Sequence, residues 1–159
     1  MINLFLGTYE HKIDPKGRLF LPKKLVEAIK DGEERQQFVL TMGLDECLYL
    51  FTRRGFVEHV QHLRQSPHGP QEYRRVMRGM GTLSVELCPD SQGRIHLPEE
   101  LRKRASLDTD VVVLGAVDHV EIWDAAAWSG NEAGASHSTY LDKADGYFSN
   151  GTNPQGVES

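Results

Sequence analysis

Lys16, Gly17 and Arg18 place a cation on each side of a glycine, in a segment that has the composition of a tight turn. A glycine on a rigid hairpin lets the backbone come close to a phosphate chain, while a guanidinium can bind phosphate or the O6 and N7 edge of guanine. Further basic side chains lie nearby in the sequence: His11, Lys12, Lys23 and Lys24. These residue types are those of a contact with DNA or RNA, and a turn with a purely structural role is the alternative.

Asp14 and Pro15 begin the turn that would position Arg18. An Asp at the first position accepts hydrogen bonds from nearby backbone amides, a Pro at the second has the φ angle that the turn requires, and Gly17 can adopt a positive φ. The composition predicts a strand before the turn, within residues 4–13, and a short strand over 19–21 after it. Pro22 can open a helix, which is expected over residues 23–30.

The same motif occurs a second time, 76 positions later. Segment 14–25 matches segment 90–101 without a gap, and six of the twelve positions are identical, including Asp90, Gly93 and Arg94. In either copy the Arg could pair with the Asp four positions before it and act as a structural clasp. That alternative explains why Asp and Arg recur together, but it does not explain the basic surroundings of the first copy.

The net charge of −5 argues by itself against a nucleic-acid partner, but the charge is distributed unevenly. Residues 1–80 carry a net charge of +3, residues 81–128 carry −5 and residues 129–159 carry −3. If the protein binds DNA, the first copy of the motif is therefore expected to make most of the contacts. The alternative is that the asymmetry is only a feature of the solvated surface.

The order of the expected elements divides the chain into four parts. Residues 1–53 and 81–128 each read as strand, turn, strand, short helix and a second hairpin. Residues 54–80 have apolar residues at helical spacing with a Pro and Gly break in the middle, which predicts a helical hairpin that joins the two repeats. Residues 129–159 are rich in Gly, Ser, Asn and Asp and are expected to be a flexible tail. The few large apolar residues of that tail are Tyr140, Leu141, Tyr147 and Phe148.

One such repeat is too small to bury its own sheet, because four or five short strands and one short helix leave apolar faces and strand edges exposed. Two repeats related by a pseudo-twofold axis can interlock their hairpins into one closed barrel with a common core. The expected fold class is therefore mainly β with short helices, and two separate small domains in tandem are the alternative.

Several blocks of the sequence resemble the MraZ family, and they occur in the family's order. They are the two Asp-x-x-Gly-Arg-x-x-x-Pro motifs, the strand Tyr9-Glu10-His11, the block of residues 43–50 that begins Gly-Leu-Asp-Glu, and Val120-Glu121-Ile122-Trp123. The resemblance covers residues 1–128, and the tail matches nothing expected of the family. It implies bacterial transcriptional regulators built from two AbrB-like (SpoVT/AbrB) swapped-hairpin halves, which together form a double-psi-like barrel.

The resemblance also implies a partner and a set of contact residues. Members of the family bind double-stranded DNA at short direct repeats upstream of their own gene, regulate the division and cell-wall gene cluster, and form ring-shaped homo-oligomers. The family's DNA-contacting arginine falls on Arg18, with Lys16 beside it and Gly17 as the hinge. Arg94 lies in an acidic setting, so it is expected, with Asp90 and Gly93, to have a structural or oligomer-interface role.

Other classes of function have weaker signals in the sequence. His59, His62 and His68, with Glu58, could suggest a metal site, but their spacing fits a polar helix face better. No nucleophile or phosphate-loop motif is present, so neither an enzyme, a cofactor nor a small-molecule substrate is expected.

With a mean hydropathy of −0.46, the protein is expected to be cytoplasmic and nucleoid-associated rather than in a membrane. An antitoxin-like or structural assembly module, which would bind another protein through its tail, remains an alternative to DNA binding.

Overall fold

The computed structural model describes residues 3–130 and 137–151. The strands are β1 (Thr8–Lys12), β2 (Arg18–Phe20), β3 (Phe38–Met42), β4 (Leu48–Thr52), β5 (Ser84–Leu87), β6 (Arg94–His96), β7 (Asp110–Gly115) and β8 (Val120–Asp124). The helices are α1 (Lys23–Glu27), α2 (Arg53–Arg64), α3 (Pro70–Thr82), α4 (Glu99–Arg104), α5 (Ala125–Gly130) and α6 (His137–Gly151). The chain divides after Ala125 into two compact units, and the first unit contains every strand.

The strands of the two repeats are interleaved. A six-stranded antiparallel sheet has the order β1, β7, β8, β4, β3, β5, and a two-stranded sheet pairs β2 with β6. The first strand of each repeat thus pairs with the third strand of the other, β1 with β7 and β5 with β3. The two outer strands of the large sheet lead through their turns into the small sheet, so the two sheets enclose one core. This arrangement confirms the predicted class, mainly β with short helices in a pseudo-twofold, barrel-like fold.

The pairing register locates the pseudo-twofold axis. In the small sheet Leu19 lies opposite Ile95, and these residues occupy equivalent positions in the two repeats. In the large sheet Tyr49 lies opposite Glu121, and these are also equivalent. Two equivalent antiparallel strands are related by a twofold axis only where equivalent residues lie opposite each other. The axis therefore passes between Leu19 and Ile95 and between Tyr49 and Glu121.

The core is built from apolar side chains of both repeats. Leu19 and Ile95 are fully buried at one end of the axis, as are Leu48 and Ile122 beside the other end. Further core residues come from α1, α4, the inner strands and the segments next to the two helices: Leu25, Ile29, Leu40, Leu97, Leu101, Val111 and Val113. Because each repeat supplies about half of this core, neither repeat has a complete apolar interior without the other.

Helices α2 and α3 form the connector between the repeats, as predicted from the periodic apolar residues and the break between them. The Thr52 hydroxyl accepts a hydrogen bond from the Gly55 amide at 3.0 Å and caps the start of α2. Pro70 at the first position of α3 begins that helix after Gly69. Neither helix contains a fully buried residue.

Helix α1 is shorter than expected, because side chains from elsewhere bind the backbone where the helix was predicted to continue. It ends at Glu27 rather than at residue 30. The Arg35 Nε donates to the Ile29 carbonyl at 2.9 Å, and the Asn3 side-chain oxygen accepts from the Lys30 amide at 3.3 Å. These tertiary contacts replace the hydrogen bonds of a further helical turn.

The segment predicted to be a flexible tail contains helix α6, which was not expected. The segment contains Gly, Ser, Asn and Asp, which have low helix propensities, yet the residues from His137 to Gly151 are helical. Tyr140, Leu141, Tyr147 and Phe148 are exposed on it. The rest of the predicted tail, residues 131–136 and 152–159, lies outside the described residues.

Candidate nucleic-acid interface

The first turn is held together by the Asp14 carboxylate. One oxygen accepts from the backbone amides of Lys16 at 3.0 Å and Arg18 at 2.8 Å. The Gly17 amide donates to the Asp14 carbonyl at 2.9 Å, and Gly17 has a φ of +80°. Three hydrogen bonds from backbone amides to Asp14 therefore close the turn, as Asp, Pro and Gly at these positions predicted.

Arg18 is clasped to this turn through one of its three nitrogens. Its Nε donates to the second Asp14 oxygen at 2.7 Å. Hydrogen bonds from the Arg18 backbone and side chain, with a further one from the Lys16 amide, hold the pKa of Asp14 below its usual range. The clasp fixes the direction of the guanidinium, whose two terminal nitrogens carry the remaining donors.

The second turn repeats this geometry closely. The Asp90 carboxylate accepts from the amides of Gln92 and Arg94 at 2.9 Å and from the Arg94 Nε at 2.8 Å. Gly93 has a φ of +81°. The clasp alternative is therefore correct as a description of both copies, and it does not distinguish them.

The two arginines differ in what surrounds them. The Arg18 side chain is 32% exposed, whereas that of Arg94 is 19% exposed. The Arg94 guanidinium lies 5.7 Å from the centre of the Phe20 ring, a cation–π contact across the small sheet. Arg94 is thus engaged on two sides, by a carboxylate and by an aromatic ring.

The pairing of β2 with β6 brings both arginines to one outward face. Arg18 lies opposite His96, and Phe20 lies opposite Arg94. Side chains alternate along a strand, so these four residues share the face opposite the buried Leu19. We call this face, made of Arg18, Phe20, Arg94 and His96, the ribbon face.

The interleaving also exchanges the helices that lie beside the two turns. The Leu97 amide donates to the Gly17 carbonyl at 2.8 Å, so α4 of the second repeat begins beside the first turn. The Leu21 amide donates to the Gly93 carbonyl at 3.2 Å, so α1 of the first repeat begins beside the second turn. The structure therefore places Lys23, the first residue of α1, at the far end of β2 from the first turn. The sequence had led us to expect it on the flank of that turn.

His11 and Lys12 lie on β1, just before the first turn. The Lys12 ammonium forms an ion pair with Asp110 of β7 at 3.0 Å, and both side chains are largely exposed. Burial lowers the pKa of His11, which favours its neutral form. The second repeat thus offsets part of the positive charge that the sequence assigned to this strand.

Two residues of the second repeat near the first turn were missed by the sequence reasoning. They are His96, opposite Arg18, and Arg102 of α4, whose guanidinium lies against Gly17. The internal repeat was a signal for both residues. If equivalent strands of the two repeats pair across a twofold axis, β2 must pair with β6, and the second repeat then lies beside the first turn. A count of charge by repeat does not show this, because it assigns both residues to the acidic second repeat.

A second cluster of titratable groups lies at the opposite end of the axis. His119 bridges two carboxylates, with Nδ1 2.7 Å from Asp118 and Nε2 2.9 Å from Glu121. Burial opposes the charged form, but the hydrogen bonds to Glu121 and Asp118 outweigh it and raise the pKa of His119. Burial likewise opposes ionisation of Glu121, yet hydrogen bonds from His119 and Trp123 lower its pKa. The cluster is an ion pair shielded by the rings of Tyr49 and Phe51.

The part of the chain that the structure describes contains neither a candidate metal site nor a helix suited to a membrane. Within residues 3–130 and 137–151, no three His, Cys, Asp or Glu side chains come together as a possible metal site, and this includes His59, His62 and His68. Over the same part of the chain, no helix has the length and apolar character needed to cross a membrane.

Comparison with known families matches both repeats. The family model described as "MraZ protein, putative antitoxin-like" matches residues 4–79 and again residues 80–145. The second match passes residue 128, so the expectation that the tail is unrelated to the family is wrong for residues 129–145. The double match agrees with the internal repeat seen in the sequence.

Curated relatives match over most of their length. A protein of Leifsonia xyli subsp. xyli named "Transcriptional regulator MraZ" is 39% identical over 147 residues, which is 92% of this chain and 93% of the relative. Proteins of the same name from Clavibacter michiganensis and Mycobacterium tuberculosis are 39% identical over 142 residues and 42% identical over 125 residues. They cover 89% and 79% of this chain and 95% and 84% of the relatives. None of these names is that of an enzyme. The chain belongs to the MraZ family.

Proposed function

We propose that this protein is a sequence-specific DNA-binding transcriptional regulator. The relatives named as transcriptional regulators support this class of function. The observation that carries the proposal for this chain is the first turn, where a carboxylate clasp fixes a partly exposed arginine beside a glycine of positive φ. A rigid turn of this kind presents a guanidinium to DNA with little loss of side-chain freedom on binding.

The residues of the first turn have distinct roles in this proposal. Arg18 binds the edge of a base or a phosphate, Lys16 binds phosphate beside it, and Gly17 supplies the positive φ that shapes the turn between them. His11 and Lys12 add weaker phosphate contacts beside the turn, and Lys23 adds one from the start of α1, at the other end of β2. Asp90, Gly93 and Arg94 hold the second turn in shape, because Arg94 is already bound by Asp90 and Phe20.

Several copies of the turn must act together, because a single copy offers few contacts. Two or three phosphate contacts bind weakly and are lost as salt rises. We propose that the protein forms a homo-oligomeric ring that presents its first turns to successive direct repeats, where the effective concentration of each added turn raises the affinity. The acidic remainder of the chain, with its net charge of −5, then disfavours any other orientation on DNA.

The DNA of this proposal lies upstream of the protein's own gene, in the cluster of division and cell-wall genes that it controls. Such a regulator acts in the cytoplasm, associated with the nucleoid. Footprinting of the purified protein on that upstream region tests the proposal. We expect a set of regularly spaced, protected repeats, and a region that stays unprotected at micromolar protein would refute DNA recognition there.

A second candidate function is that of an antitoxin-like or structural assembly module that acts through protein contacts. The description of the matching family model favours it directly. Apolar side chains exposed on α2, α3 and α6, such as Val57, Val76 and Tyr147, offer surface for a partner. Capture experiments with the full chain and with a chain lacking residues 129–159 separate the two functions. Retention of a protein partner that depends on those residues, without retention of DNA, would favour the assembly module.

A further inference from the structure

We propose that Arg102, contributed by α4 of the second repeat, is a phosphate-binding residue of the first turn. This inference rests on the proposed DNA-binding function and adds a contact to it from the repeat that the sequence marks as acidic. The observation that carries it is the contact between the Arg102 guanidinium and Gly17, which the swapped pairing of β2 and β6 creates.

The position of Arg102 is fixed by two hydrogen bonds that meet at Leu97. The Leu97 amide donates to the Gly17 carbonyl at 2.8 Å, and the Leu97 carbonyl accepts from the Arg102 Nε at 2.9 Å. A Cβ atom placed on Gly17 would lie 2.9 Å from Nη2 of Arg102 and 3.1 Å from its Cζ. The guanidinium therefore packs directly on Gly17, where only a glycine leaves room for it.

The charge of Arg102 is less compensated than that of its neighbours on α4. The Lys103 ammonium pairs with Glu99 at 3.1 Å, and the Arg104 guanidinium pairs with Glu100 at 3.1 Å. Arg102 instead donates to a neutral carbonyl, and among the described residues it forms no ion pair. The nearby Glu99 has its pKa lowered mainly by Lys103 and to a smaller degree by Arg102. The guanidinium of Arg102 thus keeps charge and donors for a ligand.

This contact distinguishes the first turn from the second. The residue of α1 that corresponds to Arg102 is Val26, 76 positions earlier. A Cβ placed on Gly93 would meet no atom within 4 Å. The two turns have the same internal hydrogen bonds, but only the first has an arginine of the other repeat packed on its glycine.

The chemistry of this arrangement fits a phosphodiester. Arg18 follows Gly17 in the chain and Arg102 covers Gly17 from the other repeat, so the two guanidinium groups lie at the same point of the first turn. A contact to phosphate adds affinity without reading the sequence. Arg102 therefore binds the DNA backbone beside Arg18, and it does not itself select a base.

Salt titrations of duplex binding test this role. Arg102→Gln should weaken binding by a similar factor on the footprinted fragment and on an unrelated duplex of equal length. It should also reduce the slope of log K against log salt by about 0.9 for each engaged subunit. Arg102→Lys should keep the slope, and Arg104→Gln is the matched control that should bind like the parent. An unchanged slope for Arg102→Gln, or a loss confined to the footprinted fragment, overturns the proposal.

Chemical modification of the unaltered protein gives a second measurement that does not depend on a variant folding. A dicarbonyl reagent modifies accessible arginines, and peptide mass spectrometry compares the protein with and without the footprinted fragment. We expect the duplex to protect Arg18 and Arg102 and to leave Arg104 reactive. Equal modification of Arg102 in both samples overturns the proposal. Failure of the unaltered protein to bind any duplex would instead contradict the DNA-binding function itself.

Discussion

Arg18 lies directly opposite His96 in the small sheet, although the two residues belong to different repeats. The same pairing places Phe20 of the first repeat under Arg94 of the second. Both repeats therefore contribute residues to the ribbon face, and each turn lies beside the start of the other repeat's helix. A single repeat cannot form this face, because its own β2 has no partner strand within the repeat.

Replacement of the two clasped arginines should have unequal effects on DNA binding. Arg18→Ala should abolish specific binding, since it removes the more exposed guanidinium of the two, while Arg94→Ala should weaken binding much less. A lost base contact costs roughly 1–3 kcal/mol, and a multivalent complex loses it once for each engaged subunit. Mobility-shift titrations measure both variants, with circular dichroism to check the fold. An equal loss for the two would contradict the assignment of the first turn as the DNA-binding one.

The repeat made most of the fold predictable. Two matching motifs, each followed by the same order of expected elements, implied two strand–turn–strand–helix units, and all eight strands were expected close to where they lie. The Asp and Gly of each motif predicted the turn in detail, because the carboxylate caps and the positive φ are local properties of those residue types. The hydrophobic periodicity and the break at Pro70 likewise predicted α2 and α3.

The neighbours of each turn could not be predicted in the same way, because they are set by tertiary pairing. Lys23 is close to Arg18 in the sequence, but β2 carries it toward the second turn. Arg102 is 84 positions from Arg18, yet it lies against the glycine next to it. The net charge of each repeat could therefore be read from the sequence, but the position of the charged side chains around each turn could not. The exchange of strands places the helix of each repeat beside the turn of the other.

Alanine at the two turn glycines should separate backbone strain from crowding. Both residues have a φ near +80°, so each substitution should cost roughly 1–2 kcal/mol of stability. Gly17→Ala should cost about 1 kcal/mol more than Gly93→Ala, because its Cβ would lie 3.2 Å from the Leu97 carbonyl oxygen and even closer to Arg102. Urea unfolding of the two variants measures the difference. A larger loss for Gly93→Ala would show that the packing on Gly17 is not tight.

Removal of the His119 charge should make stability less dependent on pH. The pKa of His119 is raised above 6.5, so its ion pairs stabilise the fold fully below that pH and are lost as pH rises through the raised value. The pKa of Glu121 is lowered below 4.5, so its contribution is present above that pH and is lost on acidification through the lowered value. His119→Gln should therefore cost most between pH 4.5 and 6.5, by about 2 kcal/mol.

The free energy of unfolding of the parent and of His119→Gln, measured from pH 4 to 9, tests this expectation. The two should differ most in the window of roughly two pH units between the ordinary pKa values of the two groups. His59 faces the same cluster through Phe51, and its pKa is lowered mainly by burial, so a His59→Gln variant is the control for a nearby imidazole. A difference between the parent and His119→Gln that stays constant from pH 5 to 9 would exclude the ion pairs as its cause.

The two cysteines should differ sharply in reactivity toward thiol reagents. Cys47 is fully buried, and burial together with the negative charge of Glu121 raises its pKa to about 12. Since the thiolate is the reactive form, Cys47 should stay unmodified in the native protein at neutral pH. Cys88 is exposed and should react at once. A disulfide reagent should therefore release one equivalent of chromophore per chain from the native protein and two after denaturation. A Cys88→Ser variant should release none until it unfolds. Rapid modification of that variant under native conditions would contradict the burial of Cys47.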